Sequence, residues 1–122
     1  MRYVYTNPNP CKKIVGDCVV RAVAIAEQRE WQDIYIGLCM QGLEMCDMPS
    51  SNCVWKAYLR KRGYERYQIP ESITVSQFAS LHKYGTFVLC TGNHVVAVRS
   101  GNYYDSWDSG SEEIIFCMTK ER

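Results

Sequence analysis

The spacing of the apolar residues changes for the rest of the chain at Gly85, after a mainly helical stretch, and that change narrows the choice of folds more than any composition figure does. Upstream of it apolar residues recur at helical intervals; downstream they fall in short strand-like runs bounded by turn residues. Val19, Ala22, Val23 and Ala26 predict a buried helix over 17–28, with Asp17 as its N-cap and Cys18 in its first turn. A second helix over 31–45 is broken by Asp47-Met48-Pro49-Ser50. Ser51 or Asn52 then caps a third, which passes through Trp55, Tyr58 and Leu59 and stops at Gly63. Residues 64–69 alternate like a short strand, and Thr74 opens a short helix through Phe78 and Leu81. Strands are expected over 86–90, 94–98, 103–105 and 114–118, with tight turns at Thr91-Gly92-Asn93 and Ser100-Gly101-Asn102. The first sixteen residues read as irregular, because each proline of Asn7-Pro8-Asn9-Pro10 pushes its predecessor into extended geometry. The expected fold class is α+β, with N-terminal helices packed on one side of a small antiparallel sheet.

The length of 122 residues suits a single domain over 1–122, with one core and no linker. A formal net charge of +1, with Lys and Arg scattered among Asp and Glu, argues against a nucleic-acid partner. The densest basic run, Arg60-Lys61-Arg62, ends a helix, where cations complement the dipole. No apolar run approaches the roughly 18 residues of a membrane span, and the start MRYVYTNPNP has no signal-peptide core, so a cytoplasmic protein is expected. Its seven cysteines, an odd number, are then expected to be reduced, most of them as small buried hydrophobes. No C-x-x-C pair exists, and Cys39, Cys46 and Cys53, spaced by sevens, read as helical positions facing a core, so no metal site is expected. No cofactor motif or phosphate-binding glycine loop is present either.

One cysteine stands apart. Cys18 begins a helix, where the dipole favours a thiolate, and Gly16 leaves room for a substrate backbone. His94 starts an apolar strand, from which its imidazole can reach across to a helix N-terminus. One tight turn later comes Asp105, able to fix the ring tautomer and stabilise the imidazolium as the third member of a triad does. Asp108 is a rival for that place, but Asp108-Ser109-Gly110 reads as a turn.

A helix-head cysteine, a later strand histidine and an acid on the next strand together resemble the papain-like cysteine peptidase superfamily. Asp105-Ser106-Trp107 is similar to the Asn-Ser-Trp of papain-type enzymes, in which the Trp shields the histidine contact. The runs from Gly16 to Ala22 and from Asn93 to Asp108 resemble small papain-like or C39-like proteins of bacteria and phages. The likeness implies a minimal papain-like fold and a hydrolase that acts on a peptide or protein substrate through a thioester. The same triad would equally serve an amidase or acyltransferase, and a non-catalytic phage or prophage interaction protein could keep the fold. The chain is about half the length of a papain-type domain, so a second substrate-binding lobe is not expected. Lys12 stands where that family places an oxyanion-hole Gln, leaving Asn7 and Asn9 as alternative amide donors. With Asp17 and Trp107, these complete the residues expected to border the site.

Several other residues read as structural. Trp31, Trp55, Tyr58 and Phe78 fit a core, and Arg21 an i,i+4 pair with Asp17. Tyr103 and Tyr104 either line an acyl cleft or pack, and His82 reads as a solvated helix-end residue. Oligomeric state is left open.

Overall fold

The structure, a computed structural model, describes residues 2–120. Its elements are β1 (Arg2–Tyr5), α1 (Cys18–Glu27), α2 (Trp31–Met45), α3 (Asn52–Lys61), β2 (Tyr64–Arg66), α4 (Val75–Leu81), β3 (Thr86–Cys90), β4 (Val95–Arg99), β5 (Asn102–Asp105) and β6 (Phe116–Lys120). The strands form one open sheet in the order β1-β5-β4-β3-β6-β2. The fold is thus α+β, with N-terminal helices on a six-stranded sheet. Among the described residues no helix is long and apolar enough to cross a membrane.

Side-chain alternation explains how the sheet is covered. Val88, Cys90, Val95, Ala97, Phe116 and Met118 point to one face and share a core with Val23, Leu38, Trp55 and Leu59 of α1, α2 and α3. Their neighbours Phe87, Leu89, Val96, Val98 and Cys117 point to the other, where Val75, Phe78 and Ala79 of α4 cover them. The helices therefore lie on both faces, not on one. This is why β3 and β4 are apolar almost throughout, TFVLC and VVAVR, where a one-sided sheet would alternate.

Several sequence expectations are corrected. The N-terminal segment is not wholly irregular: β1 pairs with β5 in parallel, with Tyr5 opposite Asp105, so the sheet is mostly rather than wholly antiparallel. The strand expected over 64–69 ends at Arg66, and the last strand starts at Phe116, two residues later than expected. Thr74 caps α4 through a reciprocal capping box with Gln77. Asp17 and Ser51 hold the N-cap positions of α1 and α3 without making a side-chain cap bond. Only Cys90 and Cys117 are buried; Cys46 and Cys53 are exposed because they sit at helix ends that face solvent, and Cys39, within α2, is half-buried. Trp55, Tyr58 and Phe78 are core, whereas Trp31 is half-buried. His82 is not simply solvated. Its ring stacks on Phe78 at 3.9 Å between centroids, and its Nε2 lies 3.0 Å from the Tyr67 hydroxyl.

Candidate active site

Three elements deliver the expected catalytic residues to one place. Cys18 is the first residue of α1, His94 closes the hairpin between β3 and β4, and Asp105 is the last residue of β5. The hairpin is fixed by the Thr91 N–H donating to the His94 carbonyl at 2.9 Å. Since α1 packs across β4 and β5, its N-terminus is carried over the strand ends.

His94 joins the other two. Its Nε2 lies 2.6 Å from Asp105 Oδ2, which leaves Nδ1 as the ring nitrogen available to the Cys18 thiol. Half-burial alone would push the Cys18 thiol pKa up. The His94 hydrogen bond and the Val95 N–H, aided by the charges of His94 and Arg21, outweigh it and bring the pKa below the ordinary thiol value. For His94 burial alone would lower the pKa, but the hydrogen bonds to Asp105 and Cys18 and their charges raise it to about 9. A thiolate beside an imidazolium is the state these opposite shifts favour.

Asp105 is 1% exposed and has four hydrogen bonds to its carboxylate. Oδ2 accepts from His94 and from the Ser109 hydroxyl at 2.6 Å; Oδ1 accepts from the Ser106 N–H at 2.8 Å and Arg21 Nη2 at 3.1 Å. Burial pushes its pKa up, yet the His94 and Ser109 hydrogen bonds, the His94 charge and the Ser106 N–H hold it below the usual carboxylate range. Asp108 is directed elsewhere: its Oδ1 accepts from Tyr103 Oη at 2.7 Å and the Gly110 N–H at 3.0 Å. The rival is thus part of a turn, and its pairing pushes the Tyr103 pKa up to about 12, after the effect of burial.

The flanking residues divide. Trp107 lies over His94, ring centroids 4.7 Å apart, while 45% of it stays exposed. Asp17 is buried, with Oδ1 on Arg21 Nη1 and Oδ2 accepting from Trp31 Nε1 at 2.9 Å. Lys12 is exposed and folds back, its Nζ donating to the Asn7 carbonyl at 2.9 Å, so it is no substitute for an oxyanion-hole amide here. Asn7 has engaged both ends of its amide, accepting from the Asn9 N–H and donating to the Lys13 carbonyl. Asn9 is also buried and accepts the Cys11 N–H at 2.8 Å. Among the described residues no protein acceptor takes its side-chain N–H.

Two participants escaped the sequence reading. Arg21 pairs with Asp17 as expected, but its second nitrogen also reaches Asp105, tying α1 to the end of β5. Ser109 was read only as part of a turn. It is wholly buried and turns back onto Asp105, a contact whose sole sequence signal is a hydroxyl four residues downstream. Among the described residues no group of three or more His, Cys, Asp or Glu is placed to hold a metal ion.

No family model matches the chain, and no curated protein and no solved structure is significantly similar to it.

Proposed function

We propose that this protein is a small cysteine hydrolase, papain-like in its order of catalytic elements, that cleaves an amide or isopeptide bond through a thioester on Cys18. One observation carries the reading: the buried His94 ring is held 2.6 Å from the Asp105 carboxylate and acts on the Cys18 thiol, whose pKa it draws down while its own is raised. In the first step the thiolate attacks the acyl carbon and a C–S bond forms. Charge moves to the carbonyl oxygen, which the Cys18 N–H at the head of α1 faces. Asn9, whose amide N–H has no protein acceptor among the described residues, is our choice for the second donor. His94 gives its proton to the leaving nitrogen as the C–N bond breaks. It then takes a proton from water, whose oxygen attacks the thioester, releasing the acid and the thiol. An amine in place of water would make the product a transferred acyl group, and product mass distinguishes the two.

The test compares cysteines within one molecule. Iodoacetamide labelling is followed at each cysteine by mass spectrometry across pH, in wild type and His94→Ala. Half-buried Cys18 should outrun exposed Cys11, Cys46 and Cys53 and titrate below the ordinary thiol value of about 8.5. In His94→Ala that advantage should disappear. If the exposed cysteines react faster throughout, or the variant leaves the Cys18 profile in place, the proposal fails.

A further inference from the structure

We propose that the cleft between α1 and α2 receives an uncharged aliphatic or aromatic side chain of the substrate, next to the scissile bond. The inference rests on the hydrolase reading and names the substrate class: a peptide with a bulky apolar residue beside the cleaved amide. The cleft holds about 280 Å³ and is walled by Val15, Val20, Trp31, Tyr35, Leu38 and Cys39, with Gly16 and Asp17 at one end. Those last two residues directly precede the nucleophile. Cys18 and His94 are not among its walls, and the cleft meets the nucleophile through the chain segment Gly16–Asp17 on one side and Val19–Val20 on the other. That is the placement of a side-chain subsite.

Charge decides what fits. Asp17 is the one ionisable carboxylate in the lining, and both its oxygens are engaged, by Arg21 and by the Trp31 indole. A cationic side chain would find no free anion there, and an anionic one no cation. Burying either charge unpaired is costly, whereas an apolar side chain gains from leaving water. Entry is open: no atom lies within 4 Å of where a Cβ on Gly16 would stand. On the far side Tyr35, 49% exposed, stacks on Trp31 at 5.1 Å to make an aromatic rim.

Dipeptide chloromethyl ketones test this without a known substrate. One position carries Leu, Phe, Lys, Asp or Gly while the other is Gly, in both orders. Cys18 displaces chloride, forming a C–S bond, and the adduct is read at each cysteine by mass spectrometry. In one order, Leu or Phe should label Cys18 about tenfold or more faster than Gly, the scale on which apolar pockets discriminate. Lys and Asp should gain nothing over Gly. Cys39→Trp, which fills the cleft, should abolish that preference. Tyr35→Ala, on the exposed rim, gives a second reading and should weaken it. Equal rates for Leu, Phe and Gly, a preference for Lys or Asp, or a preference untouched by both variants overturns the cleft assignment. If iodoacetamide shows an activated Cys18 in the same preparation, the hydrolase reading survives that result; if Cys18 is not activated, both fall together.

Discussion

Because the Asp105 carboxylate takes four hydrogen bonds in a nearly water-free setting, its charge and its shape can be separated by one substitution. Asp105→Asn keeps the shape and removes the charge that helps hold the His94 pKa near 9. The imidazole should then titrate about one unit lower or more, the usual effect of losing a close opposite charge. NMR titration of the imidazole protons checks this, with His82 as an internal reference in the same spectrum. An unmoved His94 would mean that Asp105 does not control the ring. Cys18, His94 and Asp105 were legible in the sequence because each sits where an element begins or ends, and such positions can be placed from local pattern. Arg21 was half legible. Its i,i+4 spacing to Asp17 announces one contact, but a guanidinium has several donors, and the contact to Asp105 depends on how α1 lies across β5. Ser109 depends on the path of a turn, which composition alone does not specify.

At the C-terminal end of α2 the chain folds tightly under itself. The Asp47 N–H donates to the Gly42 carbonyl at 2.9 Å, and a Cβ on Gly42 would stand 2.7 Å from the Asp47 carbonyl oxygen and 3.2 Å from the Pro49 nitrogen. Both obstacles are backbone and cannot rotate away. Gly42→Ala should therefore cost about 1–3 kcal/mol, the range for overpacking a fitted site. Urea unfolding checks this, and a variant as stable as wild type would show that the turn can shift. Helices α1, α2 and α3 were well read from sequence, since ten or more residues of periodic pattern leave little ambiguity, and the shorter α4 was announced by its Thr74 cap. Strand β1 was missed because four residues before a proline-rich segment carry too short a signal, and their partner lies at the far end of the chain. The placement of α4 on the opposite face was also hidden. Periodicity tells which side of a helix is buried, not which face of the sheet it covers.

Two carboxylates bear on the stability of the whole molecule in acid. Asp105 and Glu27 both have pKa values held below the ordinary range. For Glu27 burial pushes upward, and hydrogen bonds from Tyr64 and Arg62 with the charges of Lys120 and Arg62 outweigh it. Since each carboxyl is a stronger acid folded than unfolded, its stabilisation is fully present above the unfolded value of about 4. It is lost as pH falls through the folded value, because the unfolded chain binds protons first. Thermal unfolding across that range should show the melting temperature falling with pH, and Glu27→Gln should make the fall shallower. An equally steep fall in the variant would remove Glu27 from the acid response. The parallel seating of β1 on β5 has a consequence for synthesis. The Tyr3 hydroxyl meets the Asp105 carbonyl across 102 residues of chain, and Thr6 N–H donates to that same carbonyl at 2.8 Å. Cys18 is therefore synthesised before His94 and Asp105, and the three side chains can come together only once β5 has been made. Until that strand exists, the proposed nucleophile does not have both of the partners proposed to activate it.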